Sequence, residues 1–246
     1  MSLVAVADAG TTNLKAGVVD PEGNLLSLKR RRTPLQKPEE GAAEHDADAL
    51  FDSFCATVSE AVEGHADEVE ALVLSGYQFG FAPLDKDARP LTGFITLMDT
   101  RPQRAMDTLT QRIDRDDFYR RTGSTPLFTS LLAKILWLRS EKLQLFGHAR
   151  WFADVKAWLI YRLTGEMATE PSLAASTQLL NCERRQWDEK LLDLAGIEEI
   201  QLPRVVEGTE VLTELPAVSA EKLGLKAGVK LVPGLYDGGG ILPGTG

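Results

Sequence analysis

Two Asp–Gly loops stand near the two ends of the chain, and their residues suit phosphate chemistry. The first is DAGTTNLK, Asp8–Lys15, and the second is GLYDGGG, Gly234–Gly240. Apolar, β-prone runs precede both loops, Leu3–Ala7 and Val229–Pro233, so each loop is predicted to place a carboxylate at the end of a strand. Two such carboxylates beside glycine and threonine suit a magnesium–nucleotide phosphate site together with a proton acceptor.

The first loop combines three kinds of group that bind oxyanions. Gly10 lets the backbone turn tightly and brings amide groups close to an anion. Thr11 and Thr12 add hydroxyl donors, and Lys15 adds a cation. An ordinary hairpin turn stays open as the alternative, because Asp, Gly and Thr all favour turns. The loop has neither the Gly-Lys-Ser/Thr ending of a P-loop nor a Gly-x-Gly-x-x-Gly dinucleotide fingerprint.

Composition indicates an ordinary soluble globular protein. The chain has 246 residues, of which 43% are hydrophobic and 26% charged, and its formal net charge of −9 argues against a nucleic-acid surface. Its two cysteines lie in no metal-binding spacing, so neither a disulfide framework nor a zinc site is predicted. With no secretory signal and no membrane-length apolar run, we expect a cytoplasmic protein. The histidines, His45, His65 and His148, fall in polar or helix-end contexts that predict surface positions.

The elements that must position these loops follow from hydrophobic periodicity. The predicted strands are Leu3–Ala7, Leu14–Val19, Leu25–Leu28, Val69–Leu74, Thr92–Met98 and a last strand from Gly228, and the predicted helices include Ala49–Val62 and Glu189–Ala195. The region from Gln103 to about Leu163 is predicted to be mostly helical, with Trp151–Leu163 as one apolar stripe. Three opening strands followed by helix and strand indicate an α/β layer fold with a mixed sheet.

Further motifs, taken in order, resemble one enzyme family. They are the Asp8–Lys15 loop, Ser75-Gly76, Asp99-Thr100-Arg101, Lys134–Leu138, Tyr161–Glu166 with the serines that follow it, and the Asp237 loop. This order is similar to that of the FGGY family of carbohydrate kinases. The resemblance implies an actin-like ATPase (ribonuclease H-like) domain with a mixed β-sheet flanked by helices. Residues 1–246 would form its N-terminal, sugar-binding domain, and the C-terminal nucleotide-binding domain would be absent from this chain.

The resemblance also implies roles for the two Asp–Gly loops. Asp237 would be the general base that takes the proton from the attacking sugar hydroxyl, with a turn aspartate in a glycine-rich tail as the alternative. Asp8, together with Asp237, would hold hydrated Mg²⁺. The phosphates of ATP would be bound by the glycine, the threonines and the lysine of the first loop, Gly10, Thr11, Thr12 and Lys15.

The sugar site is expected after two strands. Tyr77, Gln78 and Phe79 occupy the positions where xylulose kinases commonly have Gln-Met-His, and Phe79 cannot donate a hydrogen bond to a hydroxyl. Asp99 is expected to accept from two sugar hydroxyls, and Arg101 to bind nearby or to pair with Asp99 and orient it. A strand-to-loop junction packed only for stability is the alternative for the first group.

The predicted activity is ATP-dependent phosphorylation of a hydroxyl on a sugar or sugar derivative. A non-catalytic sugar-binding or regulatory domain of the same fold stays open, and so does another actin-like ATPase, such as a phosphatase or chaperone-like module. The expected partner is a small sugar or polyol, without nucleic acid or membrane. An apolar interdomain face would let two copies associate, so a homodimer is an open alternative.

Overall fold

Most strands of the central sheet lie in the first third of the chain, and most helices lie between residues 101 and 195. The computed structural model describes residues 2–239. In that range the strands are β1 (Leu3–Ala9), β2 (Asn13–Val19), β3 (Leu25–Arg32), β4 (Glu44–His45), β5 (Val69–Gly76), β6 (Phe81–Leu84), β7 (Phe94–Ile95), β8 (Trp151–Asp154), β9 (Ala168–Thr169), β10 (Leu180–Asn181), β11 (Gln186–Trp187), β12 (Arg204–Val205), β13 (Thr213–Glu214) and β14 (Lys230–Val232). The α-helices are α1 (Ala47–Val62), α2 (Met106–Arg112), α3 (Arg115–Thr122), α4 (Leu131–Glu141), α5 (Leu143–His148), α6 (Val155–Thr164), α7 (Pro171–Ser176), α8 (Glu189–Ala195) and α9 (Ala217–Lys222), with 3₁₀ turns at Arg101–Ala105 and Glu199–Gln201. None of these helices is long and apolar enough to cross a membrane.

The central sheet is mixed, as predicted. Within the described residues it has six strands in the order β13-β14-β5-β1-β2-β3. β1, β5 and β14 run parallel to one another, whereas β2 and β3 continue the sheet by antiparallel hairpins. A turn closes the second hairpin, where the Asp20 carboxylate accepts the Asn24 N–H at 2.8 Å. Because the three parallel strands end at one edge, the loops that follow them meet there.

Helix α1 packs on one face of this sheet. Alternate residues of β1, beginning with Leu3, are buried, which is the period of a strand. The Asp46 carboxylate caps α1 by accepting a backbone N–H at 2.8 Å. Ser27 of β3 donates to the Ala61 carbonyl in the helix. The apolar side of α1, including Cys55, lies in the core, which confirms the helical spacing.

A second hydrophobic core lies between the four-stranded sheet β4-β7-β6-β8 and the helices α3, α4 and α8. Helix α4 is capped by Ser130, whose hydroxyl accepts the Ala133 N–H at 3.2 Å. Every residue from Leu131 to Leu138 is at most 5% exposed. This burial on all sides of the helix includes Lys134, which lies among apolar neighbours.

Two predicted elements are wrong in extent. Residues 151–163 do not form one helix, because Trp151–Asp154 is the strand β8, which pairs with the unpredicted strand β6. Helix α6 begins only after Asp154, whose carboxylate accepts a backbone N–H at 2.8 Å and so caps the helix. The predicted strand Thr92–Met98 is reduced to β7, since only that part pairs with β4 and β6.

Candidate active site

The loops after β1, β5 and β14 are tied together by backbone hydrogen bonds. The Tyr77 N–H donates to the Ala9 carbonyl at 3.0 Å, and the Asp237 N–H donates to the Gly76 carbonyl at 3.1 Å. Gly234 has φ of +64°, and a Cβ there would lie 2.0 Å from the carbonyl oxygen of β5 beside it. The turn that delivers Asp237 therefore requires glycine.

Asp8 and Lys15 face each other across the first hairpin. The Lys15 Nζ lies 3.2 Å from Asp8 Oδ2, and both side chains are partly exposed. The other carboxylate oxygen, Asp8 Oδ1, is buried and has no hydrogen-bond partner in the described part of the chain. An unpartnered, buried carboxylate oxygen fits a magnesium ligand, because Mg²⁺ prefers one or two carboxylates and completes its shell with water and phosphate oxygens. Residues 2–239 contain no cluster of three or more metal-binding side chains.

The turn between β1 and β2 offers free hydroxyls. A Cβ on Gly10 would lie 2.6 Å from the Asn13 carbonyl oxygen, so the turn is as tight as predicted. Thr33, which directly follows β3, fixes this turn with two hydrogen bonds. Its N–H donates to the Thr12 carbonyl at 2.9 Å, and its hydroxyl donates to the Gly10 carbonyl at 3.3 Å. Among residues 2–239, the Thr11 and Thr12 hydroxyls make no hydrogen bond to protein. They are available to phosphate oxygens.

Asp237 presents its carboxylate to solvent. The side chain is exposed, and its Oδ1 accepts the Gly238 N–H at 2.8 Å, which leaves Oδ2 free of protein partners in residues 2–239. A cavity of about 670 Å³ lies beside this loop and reaches Asp8, Lys15 and Tyr236. The predicted loop runs to Gly240, which lies outside the described residues.

Gln78 and Phe79 lie at the same edge, directly after β5, and both are half-buried. Within the described chain the Gln78 amide makes no hydrogen bond. Phe79 has φ of +60°, in the left-handed region that a bulky residue rarely adopts. Its carbonyl accepts a hydrogen bond from the amino group of Lys134, which also donates to the Ile95 carbonyl at 3.1 Å.

Tyr77, by contrast, is turned into the core. It is 1% exposed, and its hydroxyl lies 2.9 Å from the Nδ1 of His45. The structure therefore corrects the prediction that Tyr77 contacts sugar. His45 is itself fully buried rather than on the surface, and burial lowers the pKa of its imidazole to about 4, against a smaller opposing effect of the Thr11 backbone. Nothing in the polar sequence around His45 indicates this burial.

Asp99 and Arg101 pair with each other, as one of the predicted alternatives had it. The Asp99 side chain has 0% exposure, and its two oxygens accept the Arg101 guanidinium at 2.6–3.1 Å and the Ala43 N–H at 3.0 Å. Arg101 also binds Glu44 at 2.5 Å and Glu39 at 2.6 Å. Burial lowers the pKa of the guanidinium, but its hydrogen bonds to the three carboxylates prevail and raise it.

This ion-pair cluster leaves no atom of Asp99 for a ligand. The prediction that Asp99 and Arg101 contact the sugar is therefore wrong, because the carboxylate is inaccessible and already saturated with hydrogen bonds. The two residues instead fix the loop after β7.

A second buried ion pair lies beneath the Asp237 loop and was not predicted. Lys156 Nζ is 3.1 Å from Glu170 Oε1, and both side chains have 0% exposure. Glu170 also caps α7 by accepting the Leu173 N–H at 3.0 Å. A Cβ on Gly76 would lie 3.2 Å from the Cβ of Lys156, so the pair directly supports the end of β5. The sequence indicates only that Lys156 lies in a mostly apolar helix.

Known proteins resemble this chain along almost its whole length. The model of the FGGY family of carbohydrate kinases, N-terminal domain, matches residues 3–240. The chain belongs to the FGGY family of carbohydrate kinases. Its actin-like α/β fold is also that of solved FGGY sugar kinases, among them a gluconate kinase from Lactobacillus acidophilus, with a TM-score of 0.89, 29% identity, and coverage of 96% of this chain and 49% of that one.

Curated members of the FGGY family include relatives of this chain that differ in their substrates. A gluconokinase from Bacillus subtilis is 25% identical over 94% of this chain and 45% of its own length. A xylulose kinase from Lactococcus lactis is 27% identical over 100% of this chain and 50% of its own length. The chain therefore spans about half the length of the curated relatives it matches, and they do not agree on one sugar.

Proposed function

We propose that this FGGY chain supplies the sugar-binding half and the general base of an ATP-dependent carbohydrate kinase. The observation that carries this proposal is the convergence of three loops at one sheet edge, joined by the hydrogen bonds from Tyr77 to Ala9 and from Asp237 to Gly76. Phosphate-binding groups, an exposed carboxylate and a free amide thus lie on adjacent loops. In this proposal the adenosine is bound by a second domain, which corresponds to the other half of the relatives.

Asp237 acts as the base in this proposal. Its backbone N–H is fixed by Gly76, and its free oxygen can accept the proton of a sugar hydroxyl as that oxygen attacks the γ-phosphorus of ATP. For phosphoryl transfer, the position of the base relative to the sugar hydroxyl matters more than its basicity, because the hydroxyl becomes acidic only as the new P–O bond forms. A solvent-facing carboxylate with one oxygen unengaged by residues 2–239 is suited to that task.

The first loop binds the phosphates of ATP in this proposal. Lys15 and the Thr11 and Thr12 hydroxyls donate to phosphate oxygens, and Gly10 lets the backbone approach them. The unpartnered Asp8 Oδ1 would hold Mg²⁺. The ion, when bound, neutralises charge on the phosphates and so favours attack by the sugar oxygen.

The sugar is bound by Gln78 and Phe79. The Gln78 amide can donate to one hydroxyl and accept from another, and the Phe79 ring can pack against the carbon face of the sugar. The relatives named gluconokinase and xylulose kinase place aldonates and ketoses in the panel to be tested, and polyols are added to it.

The test is calorimetric titration of the chain with this panel, followed by an assay of sugar-dependent ADP formation from Mg-ATP by the protein that includes the second domain. We expect one sugar class to bind and Gln78→Ala to weaken it at least tenfold. Asp237→Asn should retain sugar binding but lower ADP formation by about 10²- to 10⁴-fold, the usual contribution of a general base.

Asp87→Asn, a change in an exposed surface turn, serves as the matched control and should leave both measurements unchanged. Binding of no sugar in the panel, with no sugar-dependent ADP formation, would contradict the proposal.

A further inference from the structure

Lys134 places a lysine amino group at the junction of two loops beside the sugar site. The residue lies in the first turns of α4, and its side chain is fully buried. Its Nζ donates to the Phe79 carbonyl, in the loop after β5, and to the Ile95 carbonyl at the end of β7. A lysine is seldom buried without a hydrogen-bonded carboxylate, because desolvation of its amino group is costly. Here two backbone carbonyls, instead of a carboxylate, accept the hydrogen bonds of the Lys134 amino group.

The backbone held by this amino group is strained. Phe79 has φ of +60°, where the Cβ of an L-residue crowds its own carbonyl. Such conformations persist only where the surroundings determine them, and they concentrate at functional sites. Gly80 adds a second constraint, because a Cβ there would lie 2.1 Å from the Tyr77 ring. The backbone conformation at Phe79 is thus constrained by contacts at its carbonyl and at the following glycine.

The charges around Lys134 let it perform this task in either protonation state. Burial lowers the pKa of its amino group to about 7, Asp99 opposes that shift, and Arg101 adds to it. The ammonium has three N–H donors and the neutral amine has two, so both carbonyls can be bound on either side of neutral pH. Helix α4 makes a second contact with the segment that follows β7, because the Arg101 guanidinium stacks on the Trp137 ring at 4.7 Å.

We propose that Lys134 is a positioning residue for the sugar: by binding the Phe79 and Ile95 carbonyls it keeps Phe79 left-handed and so aims Gln78 and the Phe79 ring at the substrate. This inference rests on the proposed function, in which those two residues bind the sugar. It assigns the lysine no contact with sugar or phosphate.

The test is Lys134→Met, which keeps the length of the side chain but removes both donors. Its matched control is Leu136→Ala, which removes buried volume from the same helix without touching either carbonyl. Two readouts are measured: hydrogen–deuterium exchange of peptides covering residues 78–84, and the dissociation constant of the sugar that the wild type binds. We expect Lys134→Met to raise the exchange rate and the dissociation constant at least tenfold each, and Leu136→Ala to change each by less than threefold.

A dissociation constant for Lys134→Met within threefold of the wild type overturns the inference, whatever the exchange rate. An equal rise in Leu136→Ala overturns it too, because loss of stability would then explain the effect. If the wild type itself binds no sugar, the proposed function fails and the inference fails with it.

A pair of variants keeps the inference testable if Lys134→Met does not fold. Phe79→Gly and Phe79→Ala both lose the ring, but only glycine adopts a positive φ without strain. We expect Phe79→Gly to melt at the higher temperature. If Phe79→Ala melts at the same or a higher temperature, the backbone is not held left-handed and the inference is overturned.

Discussion

Two lysines are completely buried beside the candidate active site, and the protein accommodates them differently. Lys156 lies 3.1 Å from the Glu170 carboxylate, whereas the hydrogen bonds of Lys134 within residues 2–239 go to the carbonyls of Phe79 and Ile95. Burial lowers the pKa of both amino groups. At Lys156 two carboxylates oppose that shift, while at Lys134 one carboxylate opposes it and a guanidinium adds to it.

The difference indicates two ways of supporting a loop. The Lys156–Glu170 pair is compensated in charge and braces the end of β5 from below, next to Gly76. Lys134 is compensated chiefly by carbonyl dipoles, and it determines the conformation of one strained residue, Phe79. We therefore expect the first lysine to matter more for stability and the second to matter more for the geometry of the sugar site.

The largest effect is expected from Lys156→Met. This change leaves the Glu170 carboxylate buried and unpaired, which lowers the free energy of unfolding by about 3–5 kcal/mol. Urea unfolding followed by tryptophan fluorescence measures it. Lys226→Met, which breaks a solvent-exposed pair with Glu70, is the control and should leave the free energy of unfolding nearly unchanged.

A double variant sharpens this result. Lys156→Met combined with Glu170→Gln removes both charges and keeps an amide oxygen that can accept the Leu173 N–H. It should lie within about 1 kcal/mol of the wild type, since uncharged replacement of a buried pair is often neutral. If the double variant is as unstable as Lys156→Met, the ion pair is not the source of the loss.

A smaller loss is expected from Lys134→Met. Two buried carbonyls lose their donor, at about 1–3 kcal/mol for an unsatisfied group, but the cost of burying the amino group disappears as well. The free energy of unfolding should therefore fall by about 1–3 kcal/mol, less than in Lys156→Met. A loss equal to or larger than that of Lys156→Met would remove the distinction between the two lysines.

An effect no larger than that of Lys134→Met is expected from a change of pH. Because the pKa of Lys134 falls to about 7 in the folded chain, from 10.5, the unfolded chain holds more protons between these values. Stability then rises with pH in this window and is lost as pH falls towards 7. From pH 7 to 9 the gain from this group is on the order of 2 kcal/mol.

Lys156 adds a gain of the same sign, since burial lowers its pKa as well. The measurement is therefore the difference in urea unfolding between the wild type and Lys134→Met at the two pH values. An identical gain in both proteins would show that Lys134 does not titrate in this range.

Much of the scaffold of the site could be predicted from local sequence. Apolar runs followed by glycine predict Asp8 and Asp237 at strand ends, and in the structure Asp8 is the second-to-last residue of β1 while Asp237 follows β14. The tight turn at Gly10 and the core position of Trp137 in α4 also follow from local pattern. These features depend on the conformational preferences of neighbouring residues and on the period of apolar side chains, which a short stretch of sequence contains.

Only the tertiary structure decided which polar groups face a ligand. Tyr77 and Gln78 are adjacent, yet the Tyr77 hydroxyl is bound by His45 in the core, whereas the Gln78 amide has no hydrogen-bond partner in the described part of the chain. Asp99 follows a strand as a sugar ligand would, but it is saturated by Arg101 and Ala43, the latter 56 residues away in sequence. Hydrogen-bond partners brought together by folding, rather than local propensity, set the direction and exposure of a polar side chain.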